Sequence, residues 1–169
     1  ENLDNQFCTI VRGMAYPYGT YNDEVVEVLK ILNIAYSRTT ISTEDFRIPT
    51  DWLRLTATCH HNNPNLMKLA EEFVNSNQDR DPALFYLWGH SYEFERDNNW
   101  NVIEDFAKYI SNKQDVWYAT NIEIYDYIEA FRSLIISVDG SIVKNPTAIK
   151  LYFTCDNRNY VINPNDTIK

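Results

Sequence analysis

Glycine and positive charge are both scarce in this chain. Only 4 of the 169 residues are glycine, where average usage of about 7% would give roughly a dozen. Neither a G-x-G-x-x-G fingerprint nor a Walker-type loop is present, so the sequence has none of the usual motifs that predict a nucleotide cofactor. The 15 Lys and Arg residues stand against 24 Asp and Glu, for a net charge of −9. No nucleic-acid partner is therefore expected, because such a partner needs a basic stripe facing the phosphates.

Cysteine and long apolar runs are also limited. The three cysteines (Cys8, Cys59 and Cys155) are far apart and form no C-x-x-C pair, which argues against a zinc knuckle or a redox pair. Their odd number disfavours a disulfide framework, although three cysteines still allow one disulfide bridge. No apolar run approaches the roughly 18 residues of a membrane span, and the polar, acidic first residues are unlike a signal peptide. The cellular compartment is left open.

Aromatic residues, in contrast, are plentiful at 14% of the chain. They either fill a core or bind the flat faces of sugars. The hydrophobic fraction of 44% and the chain length are those of one globular domain.

Apolar periodicity predicts alternating strands and helices, which indicates a mostly parallel α/β sheet or barrel. The predicted strands are 7–16, 34–38, 52–59, 83–88 and 116–119. The predicted helices begin at Asn22, Asn63, about residue 98 and Asn121. The hairpin signal around Asp139-Gly140 makes 134–169 a small antiparallel β extension packed on the main domain, 1–133.

The chain's three histidines all follow predicted strands. His60 and His61 end the third strand, His90 follows the apolar run 83–88, and Tyr16-Pro17-Tyr18-Gly19 ends the first strand. Ligands of α/β sheets bind at the carboxyl ends of strands. The sequence therefore predicts a site at that edge.

His90 is either a structural hydrogen-bonding group or a general acid, since imidazole titrates near pH 7. On extended backbone the adjacent His60 and His61 face opposite ways, so they should not simply form one two-histidine metal site. Glu93 and Glu95 are expected to be solvated.

The pair Asp51-Trp52 allows two interpretations. Asp51 orients an imidazole while Trp52 lines a sugar site, or Asp51 caps a turn and Trp52 packs in the core.

Together the segments Arg12–Gly19, Asp51-Trp52 and Leu87–His90 resemble the polysaccharide deacetylase family, the NodB-homology or chitin-deacetylase-like carbohydrate esterases. The resemblance covers about residues 10–130. It implies a partial or distorted (β/α) barrel and a metal-dependent hydrolase that removes N- or O-acetyl groups from a polysaccharide. The expected cofactor is a divalent metal, usually zinc, and the expected partner is an acetylated polysaccharide or oligosaccharide.

The resemblance also implies roles for individual residues. The backbone N–H of Tyr18 would help to hold the oxyanion, a role that needs a fixed donor. His90 would be the general acid and Asp51 its orienting partner. The residues expected to line the substrate site are Tyr16, Pro17, Trp52 and Trp88.

Two features of the family pattern are missing. The Asp-Asp pair and the His-x-x-x-His motif, which supply its base and metal ligands, do not occur. Ala15 stands where an arginine would align, and Arg12 or Arg38 is the candidate substitute. The 169 residues are thus expected to be the carboxyl-terminal portion of a deacetylase domain, without stoichiometric zinc and inactive on their own.

Two other hypotheses stay open. One is a non-catalytic carbohydrate-binding or assembly module with the same fold. The other is a half-barrel that pairs with a second copy as a homo-oligomer through exposed apolar sheet edges.

Overall fold

The computed structural model describes residues 2–76 and 82–169, which fall into two compact units divided between Tyr118 and Ala119. The described helices and strands confirm a mixed α/β chain, and none of the described sheets closes into a barrel. Helices of the first unit are α1 (Asn2–Phe7), α2 (Asp23–Ile31), α3 (Leu66–Asn75), α4 (Ser91–Asp97) and α5 (Asn101–Ile110). Its strands are β1 (Gly13–Ala15), β2 (Tyr36–Ser42), β3 (Leu55–Ala57), β4 (Cys59–His60) and β5 (Leu87–Trp88).

All strand pairs in the first unit are parallel among the described residues. One sheet has the order β1-β2-β3, and β4 pairs with β5. Only Thr58 separates β3 from β4, and its N–H donates to the Tyr86 carbonyl at 2.9 Å. β3 and β4 are therefore nearly continuous, and each runs parallel to its neighbouring strand. The loops that follow these parallel strands leave from their carboxyl ends.

Helix α2 begins as its sequence predicts but buries a different face. The side chain of Asn22 accepts a hydrogen bond from the Val25 N–H at 2.9 Å, as a helix cap does. The buried positions are Val26 and Leu29, which pack with Tyr16 and Leu53. The 3.6-residue spacing of apolar positions in the sequence predicts a buried stripe of Val25, Val28, Leu29 and Leu32. That prediction is correct only at Leu29, since the other three are exposed. The helix is apolar on more than one side, so its sequence alone does not select the packed face.

Helix α3 buries most of the stripe that its apolar spacing predicts, which is Leu66, Leu69, Ala70, Phe73 and Val74. The residues in the core are Leu66, Leu69, Ala70 and Phe73. The helix starts at Leu66, after a turn in which Asn63 Oδ1 accepts the Asn65 N–H at 2.8 Å. Cys59 of β4 and Phe106 of α5 belong to the same core as Leu66, Leu69 and Ala70, so β4, α3 and α5 all contribute side chains to it.

The predicted strands are longer than the observed ones. Residues 2–7 are helical, and 7–16 contributes only the three residues of β1. Residues 83–88 are half-buried and only Leu87–Trp88 is a strand. Among the described residues strand β5 has a ladder partner on one side only, so it is an edge strand. Residues 116–119 form no strand.

The second unit joins one helix to antiparallel strands. It contains α6 (Asn121–Arg132), β6 (Ile135–Ile136), β7 (Val143–Lys144), β8 (Leu151–Cys155), β9 (Arg158–Ile162) and β10 (Thr167–Ile168). The predicted hairpin is confirmed, with β6 antiparallel to β7 and Gly140 at φ 74° in the connecting loop. Ala130 of α6 is buried with Leu151 and Ile162. Helix α6 therefore groups with the tail, and the division lies one helix earlier than the expected boundary at 133/134.

Among the described residues no helix has both the length and the apolar character needed to cross a membrane.

The three thiols should differ sharply in reactivity. All are free, but Cys8 and Cys155 are exposed while Cys59 is wholly buried. Burial raises the pKa of the Cys59 thiol to about 11, and the thiolate is the reactive form. We expect Ellman's reagent to modify two thiols quickly in the native protein and the third only on unfolding. The double variant Cys8→Ser/Cys155→Ser should show no fast phase, and a fast native phase in that variant would contradict the packing of β4.

Asp139 should make the second unit sensitive to acid. Hydrogen bonds from Ser137, from the Ser141 N–H and from the Ser141 hydroxyl lower the pKa of its carboxyl to about 2, below the unfolded value of 3.8. The carboxylate therefore stabilises the fold above pH 4, and this contribution is lost as the pH falls towards 2. We expect Asp139→Asn to be less stable than the parent near pH 6, with a difference that narrows below pH 4.

Urea denaturation followed by circular dichroism at a series of pH values measures this difference. Asp156→Asn, which removes a carboxylate from another turn of the same unit, is the control. A deficit in Asp139→Asn that stays constant down to pH 3 would contradict the assignment.

Candidate functional site

A cluster of titratable side chains forms where β4 and β5 end. His60 is the last residue of β4, His61 follows it, and Glu93 reaches them from α4. Trp88 ends β5, and its ring lies edge-on to that of His60 with centroids 4.4 Å apart. Because β4 and β5 are parallel and in register, with His60 opposite Trp88, their carboxyl ends bring these groups together.

The two adjacent histidines lie side by side, and the expectation that they face opposite ways is wrong. Their ring centroids are 4.2 Å apart. Strand β4 stops at His60 and the chain turns at once, with the Asn63 N–H donating to the His60 carbonyl at 2.9 Å. The alternation of side chains applies to continuous extended backbone, and here it ends between the two residues.

Glu93 is the residue that the sequence analysis missed. It was expected to be solvated, but its side chain is only 14% exposed. Its Oε2 atom lies 3.2 Å from His60 Nε2 and 3.5 Å from His61 Nε2, and it accepts the His90 backbone N–H at 3.3 Å. The sequence does hold a signal for this placement, because His90 and Glu93 have the spacing of a helix cap and its third residue. A carboxylate at that position folds back over the end of the preceding strand.

Burial lowers the pKa of both histidines. The largest cause is removal of the rings from water, which disfavours the imidazolium, while the Glu93 carboxylate opposes the shift. Both rings are therefore neutral at pH 7, and each keeps a nitrogen lone pair.

His61 is packed more tightly than any other histidine of the chain. Its side chain is 2% exposed, and neither ring nitrogen has a hydrogen-bond partner among the described residues. A Cβ atom at position 89 would collide with His61 Nδ1. Gly89 is therefore required by the close approach of β5 to this ring.

A cleft of about 310 Å³ opens beside the cluster. Trp88, His90, Phe94 and Arg38 are among the residues that line it, together with His61. The Arg38 guanidinium lies over the Trp88 ring at 4.2 Å from the centroid, as expected for a cation–π contact. The cleft thus offers an aromatic surface with hydrogen-bond donors and a histidine at its edge.

The structure places His90, Pro17 and Tyr18 at exposed positions, while Gly19 of the same turn is half-buried. The His90 ring is exposed and stacks on Tyr92 at 5.3 Å, while its backbone caps α4. Tyr18 follows β1 with φ 55° and a fully exposed side chain. Pro17 is exposed beside it. A positive φ at a bulky residue is costly and is typical of functional sites.

Asp51 and Tyr16 take structural positions. Asp51 accepts the Leu53 N–H at 3.1 Å and pairs with Arg54 at 2.7 Å, which matches the turn-capping interpretation. Tyr16 is buried, and its hydroxyl donates to the Leu53 carbonyl at 2.7 Å. The carboxylate of Asp51 is thus engaged locally, and no described contact joins it to His90.

Trp52 is also buried, at 7% exposure, so it does not present an open surface to a substrate. Of the four residues expected to line a substrate site, Trp88 lines the cleft and Pro17 is exposed.

One group of described residues has the donor atoms for a metal ion. These are His60, His61 and Glu93, whose ligand atoms all lie within 4.8 Å of one another. The group is unrelated to the Asp-Asp and His-x-x-x-His motifs, which the sequence lacks.

Comparison of the chain with family models, with curated proteins and with solved structures finds no match in any of the three. The function therefore has to be argued from the residues of the site.

Replacing Gly89 by alanine should destabilise the first unit. The added Cβ meets the His61 ring, which is too buried to move aside, and overpacking of this kind costs about 1–3 kcal/mol. We expect a lower denaturation midpoint for Gly89→Ala, measured in urea. In a His61→Ala background the same substitution should cost much less, because the colliding ring is gone. An equal cost in both backgrounds would contradict the contact.

Proposed function

We propose that this chain supplies the oxyanion-binding and proton-donating parts of a metal-dependent hydrolase that removes acetyl groups from a polysaccharide. The observation that carries the proposal is the cleft at the ends of the parallel strands, where His90, Trp88 and Arg38 lie together. This edge is where α/β folds bind their ligands. The deacetylase type of barrel is part of the same proposal.

The position of Arg38 supports the proposal. In the parallel ladder of β1 and β2, Arg38 is the register partner of Ala15, the position at which the family pattern has an arginine. The Arg38 side chain extends to Trp88. An arginine from the neighbouring strand therefore reaches the same edge of the sheet, and Arg38 is favoured over Arg12 as the substitute.

The turn after β1 supports a backbone oxyanion donor. The Gly19 N–H donates to Tyr16 and the Thr20 N–H to Pro17, at 2.9 and 3.2 Å, so both backbone bonds enclose Tyr18. Within residues 2–76 and 82–169 the Tyr18 N–H itself has no acceptor. A donor fixed in this way can meet the negative charge that develops on the acetyl oxygen.

His90 is the proposed general acid. Water adds to the acetyl carbonyl and gives its proton to a general base, which in the family comes from the Asp-Asp pair that this sequence lacks. The tetrahedral intermediate then collapses by breaking the bond to the sugar nitrogen or oxygen, and acetate is released. The imidazolium of His90 gives its proton to that leaving atom. The bond from its backbone N–H to Glu93 at 3.3 Å holds the residue at the mouth of the cleft.

The family's divalent metal activates the attacking water when it is bound. The motifs that hold it in the family do not occur among the 169 residues, so the roles assigned above to numbered residues are limited to oxyanion binding and proton donation.

Acetate release from N-acetylglucosamine oligomers and from O-acetylated polysaccharide tests the proposal, using the longest natural form of the protein. We expect turnover that falls about 10²–10⁴-fold in His90→Ala while oligomer binding changes little, because the acid acts in the transition state. Added imidazole should restore part of the lost rate, an effect that a structural role would not produce.

Two outcomes would overturn the proposal. An absence of acetate release from all acetylated glycans, with oligomer binding retained, would show a carbohydrate-binding module instead. Turnover that is unchanged in His90→Ala would remove the assigned acid. The 169 residues alone are expected to show negligible turnover.

A further inference from the structure

We infer that His60, His61 and Glu93 form a binding site for one divalent transition-metal ion of the zinc type. They offer two imidazole nitrogens and one carboxylate oxygen, and within the described part of the chain they are the one group of its kind with mutually close donor atoms. The inference concerns this chain's own residues, and it stands whether or not the protein removes acetyl groups. It replaces the expectation, drawn from the missing family motifs, that the 169 residues bind no stoichiometric zinc.

The spacing of the donor atoms fits a shared ion. Zinc binds histidine nitrogen and carboxylate oxygen at about 2.0–2.1 Å with tetrahedral angles, which puts two ligand atoms about 3.3 Å apart. Glu93 Oε2 lies 3.2 Å from His60 Nε2 and 3.5 Å from His61 Nε2. Both separations exceed the roughly 2.7–2.9 Å of a charge-assisted hydrogen bond. The three atoms are therefore close enough to share one ion, which would replace the hydrogen bond between His60 and Glu93.

His61 provides a second and independent observation. Its side chain is 2% exposed, yet both ring nitrogens lack a hydrogen-bond partner among the described residues. Buried polar atoms in proteins are nearly always paired, and an exception calls for an explanation such as an absent ion. The unpaired Nε2 atom faces Glu93 Oε2, so one ion bound there would give that nitrogen a partner.

The surroundings of Glu93 support it as a ligand. Its Oε2 atom accepts the His90 N–H at 3.3 Å, and Arg96 lies 3.8 Å from its Oε1 atom. Contacts of this kind orient a ligating carboxylate and hold it in place. The second lone pair of Oε2 stays available to the ion.

The donor set selects the class of ion. Two nitrogens with one oxygen suit zinc and its first-row neighbours, whereas magnesium and calcium prefer oxygen ligands throughout. Three protein ligands leave one tetrahedral position for water, which is the arrangement of an open site rather than a closed structural one. His61 also lines the Trp88 cleft, which gives a small ligand a route to the ion.

The hydrogen bond from the Asn62 N–H to His60 provides a marker of metal binding. The Asn62 N–H donates to His60 Nδ1 at 3.2 Å, so in the neutral ring the proton resides on Nε2. When Nε2 binds a metal, that proton leaves and Nδ1 takes one up, because the ring stays neutral. Nδ1 then no longer accepts from Asn62, and the Asn62 amide loses its bond.

Titration of the metal-free 169-residue chain with zinc, followed by calorimetry, tests the inference. We expect one zinc ion per chain, weak or no binding of magnesium, and a tetrahedral cobalt absorption spectrum when Co²⁺ replaces zinc. Glu93→Gln keeps the shape of the side chain but loses its charge, and we expect it to weaken zinc binding about 100-fold or more. The Asn62 amide resonance should shift when the unmodified chain is loaded.

The matched control is Glu95→Gln, which makes the same change on the same helix. The Glu95 carboxylate is not part of the cluster and accepts a hydrogen bond from Trp100 Nε1 at 3.1 Å. It should bind zinc as the unmodified chain does. His60→Gln, at a half-buried position, is a second ligand variant if Glu93→Gln proves unfolded by circular dichroism. The inference is overturned if the unmodified chain binds no zinc, or if a folded ligand variant binds it as tightly as Glu95→Gln does. These readouts need no acetate release, so they fail or succeed separately from the proposed function.

Discussion

The placement of one carboxylate oxygen, Glu93 Oε2, governs the arrangement of the whole site. It faces the Nε2 atoms of His60 and His61 and accepts the backbone N–H of His90. The end of β4 and the start of α4 are thereby tied to the same atom. The proposed acid and the proposed metal ligands depend on that atom, because it sets both the start of the helix and the charge beside the two rings.

Local signals predicted the elements that are stabilised locally. Asn22 caps α2 because its side chain reaches a nearby N–H, and Asp139-Gly140 forms a hairpin turn because glycine accepts φ 74°. Leu66, Leu69, Ala70 and Phe73 form a single apolar stripe, and that stripe is buried. These features depend on residues a few positions apart, so the sequence carries them directly.

The wrong predictions come from contacts between distant residues. Helix α2 has apolar residues around much of its surface, and packing against Tyr16 and Leu53 selects Val26 and Leu29. The run 83–88 forms a strand ladder at Leu87 and Trp88, and apart from that ladder Ala83 makes an isolated bridge with Arg47. Strand ends alone predicted that the three histidines share one edge, but not that the chain turns at His61 or that Glu93 folds back beneath the rings.

Without a bound ligand, the cluster of His60, His61 and Glu93 lowers the stability of the fold, and this indicates that its role is not a structural one. A buried polar atom without a partner costs about 1–3 kcal/mol, and His61 has two such nitrogens among the described residues. An apolar side chain of similar size would avoid the penalty, since Phe94 and Trp88 already surround the rings with aromatic surface. Protonation of the rings would let them pair with the Glu93 carboxylate, but burial opposes it because burial lowers the pKa of both histidines. Two uncharged imidazole rings held against one carboxylate thus contribute little to stability, and they are a suitable arrangement for binding a cation.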